Sequence, residues 1–304
     1  MVIDSGNLLF KPGLSGEKVS AAAHTKATII AETFIAGLNA VTAIGRNDLA
    51  AGPLFLKKLE EEYSFQFLSA NLVASDTDTP IFQPFTTKMI GDLHIGIIGL
   101  TGSPLPSLPR EPVSLLPWET VLPKLIKQLS SKVDMLILLS NLPPQESRKI
   151  AQEFDAVNLI FQSGNTTKGN NSPYTIRNTL ICQTATRGKY QGVIEVKWNE
   201  SRKWQTHAKT ATKLYRIENQ LEQVAQKIQQ SEEEQSDKNR KNTRLIGLQK
   251  LKQKLVGQQK HLQQQLNENK KDQRATYNNR FIGLSPRLAD DPQTVKRIRE
   301  IRLR

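Results

Sequence analysis

The chain has 304 residues, 38% hydrophobic and 23% charged, enough for one large core or two modest domains. No run of ~18 apolar residues occurs, so nothing in it reads as a membrane-spanning helix. Cys182 is the single cysteine, which excludes an internal disulfide framework. The net charge of +13 is unevenly placed: residues 1–204 hold 20 Lys/Arg against 18 Asp/Glu, while residues 205–304 hold 22 against 11. That asymmetry marks a boundary near Thr206 and two separate physical roles.

In chain order, the first two thirds read as α/β. Val2-Ile3 and Leu8-Leu9-Phe10 flank an Asp-Ser-Gly-Asn turn. The opening residues, Met1 to Gly6, show neither the basic nor the apolar region of a signal peptide. Ser20–Leu38 has Ala27, Ile30, Ala31 and Phe34 at helical spacing. Ala40–Ile44 is a short strand, residues 53–63 a second helix, and Phe67–Leu72 strand-like. Leu93–Leu100 is a glycine-interrupted apolar strand, and 103–123 is a proline-rich connection with a helix after it to about Ser131. Val133–Leu139 is the clearest buried strand, because a near-continuous apolar run suits a sheet covered on both faces. Glu146–Glu153 reads as a helix. Val157–Phe161, 179–184 and 190–198 read as strands. The expected class is α/β, a layered domain with a mixed sheet.

The tail differs. Leu214, Ile217, Leu221, Val224 and Ile228 recur at spacings of three and four, as do Leu248, Leu251, Leu255, Leu262 and Leu266. Gln, Lys and Glu fill the positions between. This narrow stripe predicts an antiparallel, coiled-coil-like helical hairpin with its tip near residue 236. A strand over 277–284 and a short basic helix over 291–302 follow. The expected domains are 1–205, a basic hairpin over 206–275, inserted or appended, and a returning strand with its helix over 276–304.

Seven blocks, in order over roughly residues 2–198, resemble the N-terminal domain of 5'-nucleotidases, a branch of the calcineurin-like metallophosphoesterases. They are Ile3–Leu9, Ile44–Gly52, Phe67–Leu72, His94–Thr101, Leu136–Leu142, Leu159–Thr166 and Gln183–Gly192. Arg280–Leu284 with Asp290-Asp291-Pro292 is similar to the segment with which that domain ends. The resemblance implies a layered metallophosphoesterase-like fold. It implies hydrolysis of phosphate esters by two divalent metals about 3.5–4 Å apart. Such a centre takes carboxylates, imidazoles and an amide oxygen.

At the positions that the resemblance assigns to this chemistry, the chain departs from the family. The opening Asp-X-His strand lies before the first matching block and has no counterpart, so the domain is expected to lack a strand and to expose a sheet edge. Asn7 stands for the bridging acid. In the Gly-Asn-His-Glu block, Arg46 stands for the amide ligand, Asn47 for the catalytic histidine and Asp48 for the acid. Asn141, Ser163 and Asn165 stand for the remaining histidines. The four histidines of the chain, His24, His94, His207 and His261, lie elsewhere. No catalytic, cofactor-binding or metal residue is therefore expected, Asp4 and Asp48 being the weak metal candidates. Asp48 also suits the N-cap of the segment after it.

Three functions follow as expectations. The first is a catalytically inactive 5'-nucleotidase-like domain with a binding or scaffolding role and no cofactor. The second is a hydrolase of nucleotides in which Asp4, Asp48, Asn7 and Asn141 gather Mn²⁺, Zn²⁺ or Mg²⁺. The third is an interaction module formed by the hairpin, with a protein partner or partner helix, self-association or an anionic membrane surface. Nucleic acid is not the expected partner, since Tyr215, Tyr277 and Phe281 are not interleaved with the basic run. Turns at Ser163–Asn165 and Gly169–Ser172 are candidate anion sites, and Cys182 is expected to be a small core residue. Exported relatives make an extracytoplasmic location the expectation.

Overall fold

The structure is a computed structural model. It describes residues 1–36, 40–63, 65–108, 112–164, 171–185, 188–204, 208–233, 238–268, 274–285 and 288–302. The chain divides into two compact units: residues 1–171, 175–191 and 281–304 in the first, and residues 172–174 and 192–280 in the second.

In the first unit, strand β1 (Val2–Asp4) pairs in parallel with β2 (Ala40–Ala43), and β2 with β3 (Phe67–Leu68). The helix α1 (Ala21–Ile30) begins at Ser20, whose hydroxyl accepts the N–H of Ala23, and runs into a π-helical turn over Ala31–Ala36. A 3₁₀ turn (Asp48–Ala51) leads into α2 (Pro53–Tyr63). Short strands β4 (Leu72–Ala74) and β7 (Val113–Leu115) pair antiparallel.

The larger sheet has six strands. In chain order they are β5 (Phe85–Ile90), β6 (Leu93–Leu100), β8 (Met135–Ser140), β9 (Leu159–Gln162), β10 (Asn171–Ile176) and β11 (Thr179–Gln183). In space they run β10-β11-β9-β8-β6-β5. β6, β8, β9 and β11 are parallel, and β5 lies antiparallel on the β6 edge. All six residues of β8 are buried, as its unbroken apolar run requires. Helices α3 (Trp118–Leu129) and α4 (Pro144–Glu153) supply Leu122, Ile126 and Ile150 to the core around Leu136, Leu138 and Ile160. A second core gathers Leu9, Phe10, Ile44, Leu49, Leu56, Phe67 and Phe82. At its edge His24 packs edge-on against Phe55, with ring centroids 5.2 Å apart. Strand β12 (Tyr190–Lys197) pairs with β13 (Thr276–Gly283), and α7 (Pro292–Arg302) closes the chain with an Arg297–Glu32 ion pair at 3.2 Å.

The second unit contains α5 (Ala208–Glu233) and α6 (Lys238–Glu268), which pack along each other. Leu214, Val224 and Leu255 are buried, and Ile217, Leu221, Ile228, Leu248 and Leu262 are half-buried. Trp204 packs edge-on between Trp198 and Tyr277.

Four sequence expectations need correcting. The segment read as one strand over Phe67–Leu72 is two, because the Ser69 and Asn71 side chains turn inward to bond Thr101 and break the ladder. The helix expected over Ser20–Leu38 changes to π-turns after Ile30. Strands β5 and β10 had no legible signal, β5 being an edge strand whose Phe-Thr-Thr-Lys-Met-Ile sequence lacks a period of two. Leu251, placed on the apolar stripe by spacing, is 44% exposed, since the buried line runs through Leu248, Leu255 and Leu262.

Candidate functional site

The parallel strands β1, β2, β6, β8 and β9 all hand on to short loops at their C-terminal ends, the usual address for ligands in open α/β sheets. These loops carry Asp4–Asn7, Gly45–Asp48, Thr101–Ser103, Asn141 and Ser163–Gly164. Glycine lets them close on one another. Gly6 has φ 93°, and a Cβ there would meet the backbone of Gly45. A Cβ on Gly45 would meet Asn7, and one on Gly102 the carbonyl of Asn141. Asn7 is itself left-handed at φ 69°, a conformation asparagine tolerates better than most residues.

Polar side chains tie these loops together, mostly by bonding backbone groups of a neighbouring loop. Asn7 Oδ1 accepts the N–H of Asn47 at 2.9 Å. Asn141 Oδ1 accepts the N–H of Arg46 at 3.0 Å, and Asn141 Nδ2 donates to Ser163 Oγ at 2.8 Å. Ser163 Oγ in turn donates to the carbonyl of Ser5 at 2.6 Å. Arg46 Nη1 donates to the carbonyl of Ser103 at 3.1 Å. Thr101 Oγ1 donates to the carbonyl of Ile44 at 2.9 Å, tying β6 to β2. The structure thus brings together Asn7, Arg46, Asn47, Asn141 and Ser163; Asn165 lies outside the described residues.

Asp48 is the most committed group. It is fully buried, and its carboxylate accepts the N–H groups of Asn7 (2.6 Å), Leu9 (2.8 Å) and Gly45 (2.9 Å). It is not the expected N-cap. It is the first residue of the 3₁₀ turn, and its side chain reaches back to Gly45 and across to the β1 loop. Burial pushes its carboxyl up to about 6 against the opposing pull of those N–H groups. Asp4 accepts the N–H of Gly6 at 2.7 Å. Burial, reinforced by the charge of Asp48, pushes Asp4 up to about 7. Among the described residues, no group of three or more His, Cys, Asp or Glu comes together.

Sequence reasoning missed two participants. Ser5 enters through its carbonyl, which no residue-type pattern reports. Gln162, at the end of β9, donates through Nε2 to the carbonyls of Leu142 (2.7 Å) and Ser163 (2.6 Å). The Gly-x-x-Asp spacing at Gly45–Asp48 was a readable signal for a carboxylate bonding back to the glycine N–H. Cys182 is buried in β11, and burial pushes its thiol pKa upward, as for an inert core residue. His94 sits in β6, its backbone N–H donating to Asp134 Oδ2 at 3.0 Å; His261 is exposed on α6, and His207 lies outside the described residues.

No family model matches the chain, and no curated protein matches it. Solved structures do. The sulfate thiohydrolase SoxB of Thermus thermophilus is 18% identical with a TM-score of 0.54, over 65% of this chain and 36% of that one. The NAD nucleotidase NadN of Haemophilus influenzae is 18% identical with a TM-score of 0.50, over 66% of this chain and 38% of that one. A 5'-nucleotidase precursor, also of Thermus thermophilus, is 24% identical with a TM-score of 0.47, over 54% and 36%. The superpositions at 0.50 and above establish a fold of the metallophosphoesterase, 5'-nucleotidase-like kind. The chain spans less than two fifths of the length of each of these structures.

Proposed function

We propose that this 5'-nucleotidase-like domain is catalytically inactive and serves as a binding or scaffolding body. The observation that carries the reading is that the side chains of Asn7, Asn141 and Ser163 at the strand ends are engaged by hydrogen bonds to the loops around them, at Asn47, Arg46 and Ser5. A two-metal phosphoesterase centre needs anionic and imidazole donors pointing at a common space. The residues here do not fit that need. Asn7 Oδ1 and Asn141 Oδ1 each accept a backbone N–H and Ser163 Oγ is held between Asn141 and the Ser5 carbonyl, and Arg46 brings a permanent positive charge that opposes a divalent cation. The Asp48 carboxylate is engaged by three backbone N–H groups.

One observation favours a second reading. Asp4 and Asp48 stand on neighbouring strand ends, close enough for the charge of one to raise the other. In that reading Asp4, Asp48 and Asn141 hold Mn²⁺, Zn²⁺ or Mg²⁺ and the protein hydrolyses nucleotides with altered ligands. An extracytoplasmic location belongs to either reading; among the described residues no helix is long and apolar enough to cross a membrane.

The deciding experiment is metal analysis and phosphate release, on protein purified without chelator and supplied with each of the three metals. The inactive reading expects sub-stoichiometric metal and no turnover above blank. Stoichiometric metal, with nucleotide hydrolysis at rates typical of enzymes, on the order of 1–10³ per second, would replace it with the second.

A further inference from the structure

We draw no further inference here: the strongest candidate, the outer edge of β5 at the end of the six-stranded sheet, where Met89 and Ile90 are exposed, carries nothing because nothing in the structure shows what covers it.

Discussion

Asp48 shows how its neighbours decide what a buried carboxylate does. Its carboxylate accepts N–H groups from Asn7, Leu9 and Gly45, the Leu9 and Gly45 bonds buried and the Asn7 bond partly so. Removing it strands those donors at a cost of about 1–3 kcal/mol each. Asp48→Ala is therefore expected to lose at least ~3 kcal/mol in chemical denaturation, while Asp48→Asn, which keeps one acceptor oxygen, loses less. A loss within the range of an ordinary surface change would show that the carboxylate does not hold the loops. Asp4 makes a different prediction. Its folded-state pKa of about 7 lies above the ordinary 3.8, so between those values the folded state binds the extra proton. That contribution is fully present below the unfolded value and is lost as pH rises through the folded one. Asp4→Asn carries no such proton. Its melting temperature relative to the parent should therefore rise steadily from about pH 4 to about pH 8. A flat difference would mean that Asp4 titrates normally.

At the scale of elements, packing overrules spacing. Leu251 and Leu255 both fall on an i, i+3/i+4 pattern, yet Leu255 is 6% exposed and Leu251 44%. A stripe read from sequence has a width, and only the docking of α5 decides which line within it is central. Leu255→Ala should cost about 2–5 kcal/mol, the range for a buried leucine, whereas Leu251→Ala should cost under about 1 kcal/mol. Hydrogen exchange within α6 reads the two directly, and equal effects would contradict the packing. The same logic explains β3 and β4. Phe67–Leu72 has the composition of one strand, but Ser69 and Asn71 are needed by Thr101, so the ladder stops between them.

For the whole molecule, the two compact units differ in kind. One is an α/β body with two apolar cores and a charge of +4, and the other, at +9, carries most of its charge on α6. The sequence by itself determined the α/β class, the buried strand at β8, the long helices and the charge partition. Each of these depends on local composition or on a period of 2 or 3.6 that the chain carries wherever it folds. The resemblance in seven ordered blocks also located the strand-end loops, and with them Asn7, Arg46, Asn47, Asn141 and Ser163. Only the tertiary structure decided what those residues do. Asn141 meets the backbone of Arg46 across 95 positions, and Ser163 meets Ser5 across 158. Bonds of that separation, several of them to backbone carbonyls and N–H groups, leave no trace in residue type. The edge strand β5 escaped for a related reason: an edge needs no apolar face on its outer side, so its residues matched no period of two.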